Sequence, residues 1–369
     1  MRYSISFAMA ILAPVFGLAP VFGLATTAQA EVPKVIADIP PVGALVSQVM
    51  GDLGQPDVLL TGGANAHDFQ LRPSQARALN GADLVVWIGP ELTPWLGRTL
   101  SGINGVSQLG LLAAPGTYHR VYGAEPGDHE GHEHAGHDHE SHGEEGHDDH
   151  ADEGHAHEAQ GQEDHGHDHG HDDHAHADGG HDDHDEHEGH DHEGHVHTGT
   201  DPHAWLDPAN AQVWLQVIAA ELSRLDPEHA PIYAKNAEAA IAQIGALNDQ
   251  IADQLRPVRG DAFVTFHEAY GYFTEHFGLN PLGAIAAGDA HSPGAARLKA
   301  LRDSIGQADI CLFPEVQHDP VLISQMAEAT GARVGGALDP EGTAITPGPD
   351  AYAQVLGSIA DTLVACLQK

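Results

Sequence analysis

Three histidines stand where a chain can build a metal site. His67 falls in Gly62-Gly-Ala-Asn-Ala-His-Asp-Phe69, just after the short apolar run 58–60. His267 directly ends the apolar run 262–266, and His203 sits in Asp201-Pro-His-Ala-Trp-Leu-Asp-Pro208, a turn leading into a helix. Neutral imidazoles in threes, completed by one oxygen donor, suit tetrahedral zinc. A harder ion such as manganese or magnesium would favour more carboxylates. The other histidines outside the low-complexity segment carry less. His229 and His276 read as solvent or helix C-terminal positions, and His291 and His318 lie in polar loops without a supporting pattern.

A second chemistry is written in residues 128–197, which hold 23 of the 31 histidines, 25 of the 54 acidic residues and no Lys or Arg. Segments such as His165-Gly-His-Asp-His-Gly-His171 have nothing apolar to bury, so ordering entropy has no offset and the span 124–199 reads as a disordered loop. Imidazoles interleaved with carboxylates make dense, weak and unspecific sites for zinc and similar borderline ions. Individual ligands cannot be told apart among 23 interchangeable histidines. A flexible chain of 70 residues would span roughly 45 Å, far enough to hand an ion to a nearby cleft.

Elements that position His67, His203 and His267 follow from the hydrophobic pattern. Apolar runs at 35–37, 58–60, 84–88, 262–266, 282–286, 310–313 and 333–338 read as strands. They alternate with helical stretches at 43–50, 73–79, 208–225, 269–277 and 293–305, and from about Val321 and Tyr352 onward. Strands alternating with helices mean parallel sheets with right-handed crossovers. The expected fold is α/β: two parallel-sheet lobes, 31–225 and 257–369, joined by one long rigid helix at 226–256. In open parallel sheets ligands bind beyond the carboxyl ends of the strands. His67 and His267 occupy such ends, one in each lobe, so their metal would lie in the cleft between lobes.

The N-terminus carries Met1-Arg2, a stretch of apolar, Gly and Pro residues over 7–25, and Ala28-Gln29-Ala30 before a change of composition at Glu31. This is a secretory signal cleaved after Ala30, and it implies export to the periplasm. An uncleaved anchor is the alternative, weakened by Pro14 and Pro20. The net charge is −39, with no basic stripe, which excludes nucleic-acid binding through phosphates and disfavours an anionic membrane. The two cysteines, Cys311 and Cys366, are either a disulfide, favoured in an exported chain, or two buried small apolar side chains.

Several motifs together resemble one family. They are Ala66-His-Asp-Phe-Gln-Leu-Arg-Pro-Ser74, Ala82-Asp-Leu-Val-Val-Trp-Ile-Gly-Pro-Glu91, Asp201-Pro-His-Ala-Trp-Leu-Asp-Pro208, Phe266-His-Glu-Ala-Tyr-Gly-Tyr-Phe273 and Leu338-Asp-Pro-Glu-Gly-Thr343. The chain is similar to the periplasmic zinc-binding proteins of bacterial high-affinity zinc ABC uptake systems, within the cluster A-I metal solute-binding proteins. The resemblance implies a monomer that holds one tightly bound zinc between two lobes with little bending and delivers it to an inner-membrane ABC permease. It makes His67, His203 and His267 the three histidine ligands and Asp339 the fourth position. It also supports the pairing of Cys311 with Cys366. Ala66 departs from relatives that carry an acidic residue there, which removes one alternative oxygen donor.

Two other functions remain open at this level. A periplasmic zinc buffer would make the His-rich loop the working part. A zinc hydrolase would use the open fourth position to activate water, with Glu268 as its base. No H-E-x-x-H or G-x-S-x-G motif accompanies it, so the chain is expected not to be an enzyme.

Overall fold

The structure is a computed structural model that describes residues 31–67, 69–122, 199–288, 293–306 and 308–368. The secretory signal and the segment expected to be a disordered loop lie outside the described residues, apart from Gly199 at the loop's end.

Two four-stranded, all-parallel sheets form the frame. The first is built from β1 (Val35–Ala37), β2 (Asp57–Val58), β3 (Leu84–Trp87) and β4 (Ser107–Gly110), in the order β2-β1-β3-β4. The second contains β5 (Ala262–His267), β6 (Asn280–Ala286), β7 (Cys311–Phe313) and β8 (Arg333–Val334), in the order β6-β5-β7-β8. Each sheet therefore winds one way from its first strand and then the other. Each has a crevice at the reversal, between β1 and β3 and between β5 and β7, where parallel sheets place ligands.

Helices α1 (Pro40–Met50), α2 (Pro73–Asn80), α3 (Pro94–Leu100) and α4 (Pro208–Leu225) serve the first sheet. Helices α6 (Gly271–Phe277), α7 (Ala295–Ile305), α8 (Val321–Thr330) and α9 (Ala351–Leu367) accompany the second. Between them runs α5 (Ala230–Leu255), the long connecting helix. Pro at the first turn starts α1, α2, α3, α4 and α5, where the missing N–H costs nothing.

Alternation along β5 divides two cores. Phe263 joins a large core with α1, α4, α5 and α9, whereas Val264 and Phe266 face a smaller one with Leu301, Ile305 and Ile323. Helix α9 packs against α1 as well as α5, so α5 is not the sole link between the lobes. The Cys311–Cys366 disulfide fixes the end of α9 to β7 across Cα atoms 6.3 Å apart.

Two expected strands are shorter than the apolar runs suggested: 58–60 yields only Asp57–Val58, and 333–338 only Arg333–Val334. In both, the chain goes on running beside its neighbour strand through isolated backbone bonds, as from Leu59 N to Ala37 O and from Gly335 N to Leu312 O. Leu60 N donates to Asp38 O, and Leu338 N to Pro314 O.

The described residues on either side of 123–198 pair with one another. Val121 and Thr200 form an antiparallel bridge, Tyr122 N donates to Gly199 O at 3.1 Å, and Asp201 N donates to Arg120 O at 2.8 Å. This short stem leads directly into the His203 turn.

Candidate metal centre

Strand β5 delivers His267 at its carboxyl end, buried, with its backbone already committed to the sheet. Across the crevice, β7 ends and Pro314 carries the chain to Glu315, also buried. Glu315 Oε2 accepts from His267 Nδ1. Its Oε1 accepts from His267 N at 3.3 Å and from the Tyr270 hydroxyl at 3.1 Å. With Nδ1–H donated to a carboxylate, the tautomer that leaves the Nε2 lone pair outward is favoured, the arrangement metal-ligating histidines use.

The stem positions His203 in the same way. Asp201 Oδ1 accepts from both His203 N at 3.0 Å and His203 Nδ1 at 2.7 Å. Burial lowers the His203 pKa below the ordinary 6.5. Asp201 opposes that shift, while His267 and His67 add to it. The ring is therefore neutral at neutral pH, with Nε2 facing the other lobe. His203 Nε2 and His267 Nε2 lie 3.4 Å apart. Two ligands of a tetrahedral zinc, each about 2.0–2.1 Å from the ion, are about 3.3–3.4 Å apart. The spacing of these two nitrogens thus matches a shared ion without rearrangement.

His67 approaches from the loop after β2. Gly62 and Gly63 at its start have φ of 69° and 81°, a left-handed backbone that only glycine adopts without strain. The loop is tied at three points. Gly62 N donates to Thr343 O at 2.9 Å, His67 N to Asn65 Oδ1 at 2.8 Å, and Trp95 Nε1 to Ala66 O at 2.7 Å. The His67 ring centroid lies 5.8 Å from that of His203, and the His203 and His267 centroids lie 5.3 Å apart. Of the three, His203 and His267 are the pair whose ring nitrogens stand within reach of one shared ion. Among the described residues, the cluster whose ligand atoms all lie within 4.8 Å of one another is His267, Glu315 and His318.

His318, unsupported in the sequence, is a real neighbour. Its ring stacks on Phe266 with centroids 4.3 Å apart, and its Nε2 is 3.8 Å from Glu315 Oε2. Glu315 escaped sequence reasoning, because only the order of the strands brings the residue two past β7 beside His267. His276 stands, as expected, at an exposed position in the last turn of α6, and there it bridges Asp207 Oδ1 at 2.8 Å and Asn248 Oδ1 at 2.7 Å. His229 pairs with Asp226, and His291 lies outside the described residues.

Asp339 is placed by a tight loop. Its Oδ1 accepts from Thr343 N at 3.0 Å and Gln317 Nε2 at 3.3 Å, and its Oδ2 accepts from Ala344 N at 2.9 Å. Its segment touches both first-lobe ligand loops, through Thr343 O to Gly62 N and through Pro340 O to Trp205 Nε1 at 2.8 Å. Glu268 is half-buried and lies 3.9 Å from Arg297. Burial raises its pKa, with Arg297 opposing.

A family model described as zinc-uptake complex component A, periplasmic, matches residues 35–366. The high-affinity zinc uptake system protein ZnuA of Paracoccus denitrificans is 52% identical over 345 residues, covering 93% of this chain and 94% of that protein. The protein of the same name from Brucella suis is 36% identical over 336 residues, covering 91% and 92%. A solved crystal structure of ZnuA, 21% identical, superposes with a TM-score of 0.63 and covers 92% of this chain and all of that one, which shows the shared two-lobe fold.

Proposed function

This chain belongs to the periplasmic zinc-uptake component A family, and from that premise we propose that it captures zinc between His203 and His267, closes the site with His67, and passes the ion to an inner-membrane ABC permease. The observation that carries this reading is the 3.4 Å separation of His203 Nε2 and His267 Nε2, each ring held by its own carboxylate. Zinc here is cargo. The two buried rings are set for it in advance, so little reorganisation opposes the first step. His67, on its glycine-led loop, is the last ligand to arrive.

Asp339 stands at the fourth position in this reading. Its Oδ2 carries a single N–H and retains a lone pair for an ion, while Oδ1 shapes the loop. Residues 128–197 form an auxiliary collector that binds several zinc ions weakly and raises their concentration at the cleft to the millimolar order. Residues 1–30 are the cleaved export signal, and the mature protein acts as a monomer. Among the described residues no helix is long and apolar enough to cross a membrane.

Zinc binding by single-alanine variants, measured by competition with a chelator, tests the site. His203→Ala and His267→Ala should each lose zinc affinity by orders of magnitude, His67→Ala should lose it by a smaller factor, and His229→Ala should match the parent. Unchanged affinity in His203→Ala or His267→Ala would sink the assignment. For the collector, native 128–197 is compared with a Gly/Ser/Asp replacement of equal length during growth in chelator. Equal growth eliminates that role.

A further inference from the structure

Around the paired nitrogens runs a closed circuit of contacts that the ligand set does not require. Arg120, on the stem, is engaged through its carbonyl, its backbone N–H and one guanidinium nitrogen. Its carbonyl accepts from Asp201 N at 2.8 Å, and its N–H donates to the Tyr272 hydroxyl at 2.8 Å. That hydroxyl donates in turn to Asp201 O at 3.0 Å. The guanidinium reaches into the second lobe, where its Nη1 pairs with Glu275 of α6, and the Tyr118 hydroxyl donates to the same carboxylate at 2.7 Å. Arg120 Nε is buried, makes no hydrogen bond, and faces Asp201 Oδ2 at 4.0 Å. Gly271 opens the path for this side chain: a Cβ added there would stand 2.7 Å from Arg120 Nε and 3.1 Å from Cζ.

These contacts join two carboxylates of different lobes. Asp201 fixes the His203 ring, and Glu275 belongs to the helix that begins four residues after His267. Taken round, the circuit is His203, Asp201, Arg120, Glu275, α6, β5 and His267. Its one charged crosspiece is a guanidinium, whose planar fork suits two carboxylates.

We propose that Arg120 is a positioning residue that latches the lobes across the metal centre and sets how slowly zinc leaves. The proposal rests on His203 and His267 being the ligands. With the latch closed, Asp201 holds His203 against His267 and the ion is shared. With the crosspiece neutral, the stem and α6 separate more readily and one imidazole lets go. Capture meets the two nitrogens in either case, so the latch acts on dissociation rather than on association.

The test is zinc release into excess chelator, followed by stopped flow, in Arg120→Met, Arg120→Lys, Glu275→Gln and Gly271→Ala. Arg120→Met should release zinc about tenfold faster with an unchanged association rate, equivalent to about 1.4 kcal/mol of affinity. Arg120→Lys keeps the charge and should stay within about threefold of the parent, given that an ammonium can replace the charge but not the fork. Glu275→Gln should resemble Arg120→Met, and the double variant should be no faster than either single one, because both break the same link. Gly271→Ala leaves every charge in place and adds helix propensity, so it should hasten release without lowering the apo melting temperature. A merely structural role predicts the reverse coupling, with release tracking melting temperature. Release within twofold of the parent in both Arg120→Met and Glu275→Gln overturns the proposal. Should Arg120→Met fail to fold, Glu275→Gln and Gly271→Ala decide it. His203→Ala is run alongside: parental affinity there would remove the site itself, a failure distinct from that of the latch.

Discussion

Glu315→Gln and Asp201→Asn are the same chemical change made behind the two buried ligands, and the structure assigns them different costs. A carboxamide offers one acceptor oxygen and one NH2 group. Asp201 holds His203 through a single oxygen, Oδ1, which takes both the ring N–H and the backbone N–H. Asn can keep that oxygen in place, and both bonds to His203 survive; its NH2 then stands where Oδ2 faced Arg120 Nε at 4.0 Å, donor against donor, so the charge contact to Arg120 is what is lost. Glu315 divides its work. Oε2 serves His267 Nδ1, and Oε1 serves His267 N and Tyr270 Oη. In Gln, the NH2 must meet one of these donors. Facing Nδ1, it forces the wrong tautomer and moves the proton to Nε2, where zinc must bind. Facing the backbone, it leaves a buried N–H without an acceptor.

Loss of a partner behind a metal-binding histidine costs about 10–100-fold in affinity. Asp201→Asn belongs at the low end, about tenfold, and Glu315→Gln at about 100-fold or more. The second also loses about 1–3 kcal/mol of apo stability from the unsatisfied buried donor. Competition with a chromogenic chelator gives the affinities, and thermal unfolding of the apoprotein gives the stability. If Asp201→Asn proves as costly as Glu315→Gln, the distinction between one-oxygen and two-oxygen orientation is wrong.

Replacing 123–198 with an Asn-Gly turn between Tyr122 and Gly199 should leave the tight affinity within about threefold, since the stem bonds that reach Asp201 remain. Total bound zinc should drop by several equivalents in the same titration. Burial pushes the Asp38 carboxyl up to about 7 from 3.8, with the N–H groups of Ile88 and Ile39 opposing. Folded chains therefore hold a proton that unfolded ones lack between about pH 4 and 7, and this contribution, full below about pH 4, is lost as pH rises through 7. The melting temperature of the parent relative to Asp38→Asn should fall across that window and run parallel above it; a relative rise refutes the assignment. Replacing Cys311 and Cys366 together with Ala should lower stability by roughly 4 kcal/mol for so long a closed loop, in denaturant titration, with zinc affinity unchanged. Asp339→Asn should lose less than tenfold in zinc affinity, and a loss above 100-fold would make its carboxylate an indispensable ligand.

The strands that present the site were legible because they are buried on both faces. Leu84-Val-Val-Trp87 and Phe263-Val-Thr-Phe266 leave no room for another reading. Helix α3 was not, because Pro94–Leu100 spans barely two turns and shows no long period, yet its Trp95 holds the His67 loop. Strand β4, Ser107–Gly110, was hidden by its polarity, being an edge strand with no fully buried position. His67 and His267 could be picked out by their place after strands. Their partners could not: Glu315 meets His267 across 48 residues of chain, and only sheet order makes them neighbours.

Sheet order also explains why the two halves of the centre differ. Each sheet reverses its winding beside its first strand, and a buried carboxylate stands at each reversal. In the first sheet it is Asp38, whose oxygens accept from Ile39 N and Ile88 N, both at 2.8 Å. That acid is consumed in joining the ends of β1 and β3. In the second it is Glu315, which joins β7 to β5 partly through a side chain, the His267 imidazole. The second lobe therefore holds its proposed ligand on the sheet itself. The first lobe, its crevice acid already engaged, offers its proposed ligands from two loops: His203, braced by Asp201 on the stem, and His67, beyond Gly62 and Gly63. The number of ties on the ligand's backbone decreases in that order, from strand to braced turn to glycine-led loop. Ligation should follow the same order, with His67 last on and first off.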